Sequence, residues 1–359
     1  MIRRDLFEIV CIALGSQPKC SLTPTNDEWV EIMNMMLTHR LVGIFNDALP
    51  HLSEYQKPQY SLLMNNVGQT IMLERLYEQQ KATIKKLSTH FSAYGLKMVL
   101  MKGYGLSKNY PIPKHRGIGD LDIYFCGQGE YADELIKGLG IEVKQNEEKH
   151  SVYDYHGVHV ENHASIICEQ EHPSLLKVEA YLKDELNTNI YLDEDTGCWL
   201  PSAMFNAVFL PLHFAGHFVY GGANLRQIVD YALVVRNAKE NTDFNLIDWD
   251  IVKKLAIDGG YFKFLCCLNS ICIKYIGISA ECFPDWSGDK AMEERILNEV
   301  LNPMAIDTHS LIGKMKRYLC NRWKYRLVYS KESHLIGFLL RTRSWLNWKW
   351  GRKNVWSSK

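Results

Sequence analysis

At 359 residues, of which 47% are hydrophobic, 23% charged and 11% aromatic, the chain is long enough for roughly two domains and too apolar to be disordered, collagen-like or low-complexity. Forty-one Lys and Arg balance forty-one Asp and Glu, which excludes a polyelectrolyte built as a whole for nucleic acid or an anionic membrane. The ten cysteines form no C-x-x-C pair and no regular spacing, so reduced, mostly buried thiols are expected in place of a disulfide framework or zinc knuckle.

The apolar run after Met1 is broken at Glu8, and no stretch of 18 uncharged apolar residues occurs anywhere. The expectation is therefore a cytoplasmic protein without a leader or transmembrane segment. From about Asn26 to Gly95 apolar residues recur at three and four, as in Leu62, Leu63, Val67, Ile71, Leu76, Ile84, Leu87 and Phe91, which predicts an N-terminal helical region ending at Gly95. Their apolar stripes are assigned to core or partner packing. Met98–Met101 and Leu121–Phe125 then read as strands, with a helix of at most two turns over Gly103–Asn109 and a stop at Pro111-Ile-Pro113. Glu130–Lys137 reads as a helix, and Ser151–His163 as two strands turning at His156-Gly157. After the Pro201-Ser202 start signal, Met204–Tyr220 is apolar nearly all round and Leu225–Val235 follows, so the C-terminal half is expected to be helical.

The fold class is thus α+β: a small mixed β-sheet flanked by N-terminal and C-terminal helical regions. The divisions expected are a helical region over 1–95, an α/β core over 96–200, a second helical region over 201–313 and a tail over 314–359.

Within the core, strand alternation puts Asp120 and Asp122 on one face, with Leu121 and Ile123 on the other. Paired carboxylates repel unless a cation or a basic group compensates them, and Mg²⁺ suits such a pair because it keeps waters and binds substrate phosphates. Gly103 stands where the first strand hands over to the short helix, so backbone amides there offer a phosphate cradle.

This order of strand, glycine turn, short helix, loop and D-x-D strand resembles the nucleotidyltransferase (polymerase β-like) superfamily. More closely, Leu100-Met-Lys-Gly-Tyr-Gly-Leu-Ser-Lys-Asn-Tyr-Pro with Arg116 and Gly119-Asp-Leu-Asp-Ile resembles a little-characterised bacterial branch carrying Lys-Gly at the turn. His159-Val-Glu-Asn-His163, His213, His217, Arg226 and Asp230 continue the resemblance, which spans about residues 25 to 280. One departure is chemical: well-defined members have Gly-Ser at the turn, whereas here the pair is Lys102-Gly103.

The resemblance implies transfer of a nucleoside monophosphate from an NTP to an acceptor hydroxyl, with release of pyrophosphate. It implies two Mg²⁺ ions, with Mn²⁺ as the substitute, held by Asp120, Asp122 and Glu161. Glu161 would hold the second ion or take the proton, and Lys102, Gly103 and Arg116 would contact the phosphates. His163, His213, Arg226 and Asp230 become candidate pocket walls.

Each of these residues also has a structural reading. Lys102 could pair a carboxylate, and Arg116 could compensate the aspartates as an ion pair. His213 and His217, one turn apart, have a zinc-compatible spacing but are expected to be hydrogen-bonded structural histidines. Arg226 and Asp230, also one turn apart, could pair along their helix. The alternatives to an enzyme are a catalytically decayed nucleotide-binding or regulatory protein with the same fold, or a protein acting mainly through its basic tail at an anionic surface. The tail carries thirteen Lys and Arg against Glu332 alone, with five of nine tryptophans. It suits an anionic lipid, a nucleic acid or an acidic partner, and so a peripheral place at the membrane, unless it folds back onto the body.

Overall fold

The computed structural model describes residues 2–17, 21–146, 150–167, 172–240, 246–303, 316, 319–333 and 335. Four helices lead in: α1 (Ile2–Ala13), α2 (Asn26–Thr38), α3 (Val42–Ala48) and the 33-residue α4 (Tyr60–Ser92). A capping box between Thr25 and Glu28 starts α2. Helix α1 lies inside the helical region expected over 1–95 but ahead of the periodic stretch that begins at Asn26. Its Asp5 and Glu8 interrupt the apolar pattern, yet both are buried, and Glu8 accepts a hydrogen bond from the Ser21 amide. Along α4 the expected stripe is only partly covered: Ile84, Leu87 and Phe91 are buried, whereas Ile71 and Leu76 stay exposed and the polar Asn66 and Thr70 take the inner face.

The sheet alternates with helices as β1 (Val99–Leu100), α5 (Tyr104–Ser107), β2 (Leu121–Tyr124), α6 (Gly129–Gly138), β3 (Lys144–Asn146), β4 (His150–Tyr155), β5 (Val158–His163), α7 (Leu176–Thr188), β6 (Ile190–Leu192) and β7 (Trp199–Pro201). Strand order is β3-β4-β5-β2-β1-β7-β6, with β2–β5 and β1–β7 parallel and the other pairs antiparallel. His156 and Gly157 both have positive φ, 50° and 77°, the backbone of a two-residue hairpin turn whose twist matches its strands.

Leu121, Ile123 and Val160 pack with Ile84, Leu87 and Phe91 of α4 and with Ala132 and Ile136 of α6. The opposite face of the sheet, through Val99, Met101 and Tyr124, joins the larger helical core. That core centres on α8 (Ala203–Tyr220), capped by Ser202, and α9 (Leu225–Glu240), followed by α10 (Trp249–Gly259), α11 (Phe262–Tyr275) and α12 (Lys290–Leu301). The molecule is therefore an α+β fold with a small mixed sheet between two helical regions. No helix among the described residues is long and apolar enough to cross a membrane.

Most of the basic tail lies outside the described residues, but its helix α13 (Arg322–Val328) packs on the body. Trp323 meets Phe218 edge-on, the Arg295 guanidinium lies 3.8 Å from the Trp323 ring centre, and buried Lys324 pairs with Glu299 at 2.6 Å. Eight described cysteines are free.

One close approach ties the N-terminal helices to the loop that enters the site. A Cβ on Gly43 of α3 would lie 2.3 Å from the His115 carbonyl oxygen and 2.7 Å from its Cα, so backbone meets backbone there. Gly43→Ala is expected to cost about 1–3 kcal/mol by overpacking. Denaturant unfolding checks this, and an unchanged midpoint would mean that the 113–115 loop yields freely.

Candidate functional site

Parallel pairing sets Asp122 of β2 directly beside Glu161 of β5, and the hairpin sets His150 of β4 opposite His163. Cross-strand partners share a face, so four donor-bearing side chains converge there. His163 Nε2 lies 3.1 Å from Asp122 Oδ1 and 3.4 Å from Glu161 Oε2, and His150 Nε2 lies 3.7 Å from Glu161 Oε1. Lys102 Nζ lies 2.7 Å from the same Oδ1 of Asp122.

Burial alone would raise the Asp122 pKa, but the Lys102 ammonium and the His163 imidazole push it far below the usual carboxylate range. The hydrogen bond from His163 lowers Glu161 against burial and the charge of Asp122. Burial would lower His163, and the hydrogen bonds to the two carboxylates more than reverse that. Asp122 and Glu161 are therefore ionised at neutral pH, the state that a cation requires.

Asp120 has a different setting from Asp122. Strand β2 begins at Leu121, so Asp120 precedes it and is exposed, with no hydrogen bond or ion pair among the described residues. The carbonyls just upstream are held by side chains and not by a neighbouring strand: Gln80 of α4 donates to Gly119 at 2.7 Å, and Arg226 of α9 donates to Gly117. The Gly103 turn lies alongside. Its φ of 71° favours glycine, and a Cβ there would stand 3.7 Å from the Asp120 carbonyl oxygen. Helix α5 is a single turn of four residues, shorter than the two turns allowed by the sequence, so little helix dipole backs the cradle.

Of the two roles open to Arg116, the structure forms the ion pair. Its Nε and Nη2 reach the two oxygens of Asp230 at 2.7 and 2.8 Å, Nη1 donates to Gly117, and Tyr110 donates to Asp230 at 2.7 Å. All of this is buried. The guanidinium is buried and committed to this pair, and Asp230 is taken by Arg116 in place of its helix neighbour Arg226. Burial and the nearby Arg116 lower the Arg226 pKa to about 10.

His213 and His217 of α8 face this site, within electrostatic reach of Lys102 and Asp122. The expected hydrogen-bonded histidines are not found: neither ring makes a hydrogen bond among the described residues, and they meet each other at 4.7 Å, with His213 stacked on Phe209. Burial first, then the Lys102 charge, lowers both pKa values, so both are neutral at pH 7.

Two residues of the site escape the sequence reading. His150 was legible in principle, because a turn centred on 156 and 157 pairs 150 with 163. Arg40 was not. It follows α2 with φ 58°, and its Nη1 lies 3.5 Å from where a Gly119 Cβ would be, beside Asp120. Its guanidinium is exposed and makes no ion pair among the described residues. Arg40, Arg226, His213 and His217 thus form a basic and aromatic wall opposite the carboxylates.

Three of the donors, on His150, Glu161 and His163, offer atoms that all lie within 4.8 Å of one another, and this group suits a metal ion. Mixed nitrogen and oxygen donors on rigid strands fit a divalent cation, with Asp122 adjacent.

Residues 25–277 match the family described as "Uncharacterised nucleotidyltransferase". No curated protein and no solved structure matches the chain. The match covers more than two thirds of the sequence and takes in every residue of the site from Arg40 to Asp230. The chain belongs to this nucleotidyltransferase family.

Proposed function

We propose that the protein is a metal-dependent nucleotidyltransferase that moves a nucleoside monophosphate from an NTP to an acceptor hydroxyl. The observation that carries this reading is the juxtaposition of ionised Asp122 and Glu161, brought together by parallel pairing, with the cations Lys102, Arg226 and Arg40 nearby. A polyphosphate needs positive groups along its length and a cation at the reacting phosphorus.

Asp122 and Glu161 hold the cation, with Asp120 at the open edge. Lys102, Arg226 and Arg40 take the charge of the phosphates, and the Gly103 backbone lets them approach. The acceptor oxygen bonds the α-phosphorus, its proton passes to the Glu161 carboxylate, and the bond to the β-phosphate breaks to release pyrophosphate. When bound, the cation supplies Lewis-acid polarisation of the phosphoryl oxygens. The sequence expectation of two Mg²⁺ ions stands as part of this proposal. So does the assignment of the basic tail, 314–359, to an anionic lipid, a nucleic acid or an acidic partner.

A second reading is favoured by one contact. Lys102 occupies Asp122 at 2.7 Å, and no hydroxyl stands at the turn, which suits a regulatory protein that binds nucleotide without turnover. Calorimetry with the four ribonucleoside triphosphates and Mg²⁺, followed by pyrophosphate release, separates the two. The expected result is binding of at least one triphosphate, more tightly than its monophosphate, with pyrophosphate appearing. Binding without pyrophosphate selects the regulatory reading, and the absence of binding to any triphosphate refutes both.

A further inference from the structure

The donor set at the centre of the site is richer in nitrogen than a Mg²⁺ site. His150 and His163 stand directly opposite each other on antiparallel strands, their ring centres 5.1 Å apart, and Glu161 reaches between them. Mg²⁺ demands oxygen ligands at near-octahedral geometry and is seldom held by imidazole. Two imidazoles with carboxylates are the ligands of Zn²⁺, Mn²⁺, Co²⁺ or Fe²⁺. Nitrogen-to-metal bonds of about 2.0–2.1 Å require only small side-chain rotations from donors already within 4.8 Å of one another. Asp122 Oδ1, 3.1 Å from His163 Nε2, is placed to complete a fourth position.

Location separates this group from the open aspartate edge. The three donors lie on β4 and β5, strands fixed by the hairpin, whereas Asp120 precedes β2 and Lys102 precedes α5. No nucleotide is needed to assemble them. We infer that the free protein binds one borderline divalent transition-metal ion through His150, Glu161 and His163, with Asp122 as fourth ligand. The inference rests on the proposed transfer reaction for the ion's catalytic place, whereas binding itself does not.

The test uses the full-length chain, stripped by chelator and dialysed against Zn²⁺ or Co²⁺ without nucleotide. One equivalent of Zn²⁺ is expected, and Co²⁺ should give visible d–d absorption of a four-coordinate site. Millimolar Mg²⁺ should not displace either ion. His150→Gln removes a half-buried ligand with little risk to folding, and it should weaken Zn²⁺ by about 100-fold. Glu161→Gln should do the same, and far-ultraviolet circular dichroism reports whether each variant is folded. His159→Gln alters a histidine of the same strand that pairs instead with Asp154 at 3.1 Å, and it should bind as the parent does. Substoichiometric Zn²⁺, equal competition by Mg²⁺ or unaltered binding in folded His150→Gln would overturn the inference.

Triphosphate binding is measured in parallel on stripped and loaded protein. Metal bound without nucleotide affinity leaves the inference standing and removes the transfer reading. Nucleotide affinity with Mg²⁺ alone, and no transition metal retained, does the reverse.

Discussion

Replacing Asp230 with Ala should destabilise the protein by about 3–5 kcal/mol, the usual cost of leaving one member of a buried ion pair without its partner. Arg116 would keep a full charge in a buried setting after losing both of its short contacts to Asp230, and the Tyr110 hydroxyl would lose its acceptor. The charge cannot be shed, since an arginine stays protonated. The double change Arg116→Met with Asp230→Leu removes both charges at similar volume and should recover most of the loss, because desolvating the pair was itself costly. Urea unfolding of the two variants decides this. A single mutant as stable as the parent, or a double mutant no better than the single, would show that the pair is solvated in solution.

Glu161→Gln should leave triphosphate affinity within a fewfold of the parent and lower transfer by a factor of order 10² or more, the scale of acid–base contributions. The amide keeps the shape of the side chain and one acceptor for His163, but it can no longer take a proton. Because the Glu161 pKa is lowered, chiefly by the His163 hydrogen bond, the carboxylate is ionised throughout the neutral range. Acidification should therefore spare the rate until the pH falls below the ordinary glutamate value, after which the rate drops as the base is protonated. Single-turnover release of pyrophosphate at saturating nucleotide provides the measurement. Full activity in Glu161→Gln would remove this residue from the mechanism, and equal losses in binding and transfer would make it a nucleotide contact.

Much of this arrangement follows from short-range sequence rules. The His156-Gly157 turn fixes the register of β4 against β5, and alternation then puts Glu161 and His163 on one face. Ser202 and the all-round apolar pattern mark α8 as the central helix. The parts that stay hidden depend on long-range partners. Buried Asp5 and Glu8 disguise α1, because a single sequence does not reveal which polar groups will be satisfied. Asp120 looks equivalent to Asp122 by alternation, yet the strand ladder ends between them where Gln80 and Arg226 take over the carbonyls. Arg40 carries no local signal, and the choice of Asp230 by Arg116 over Arg226 is decided by tertiary packing across 114 residues.

The segment Gly117–Asp120 is held by side chains from both helical regions, Gln80 on the Gly119 carbonyl and Arg226 on the Gly117 carbonyl, with Arg40 packed close by. The helical regions are thus part of the frame that holds the candidate site. A transplanted 96–200 fragment would carry the carboxylates but neither the hooks that aim them nor the basic wall they face. Cutting the chain at either edge of the sheet would therefore loosen Gly117–Asp120 even where every strand pairing survived.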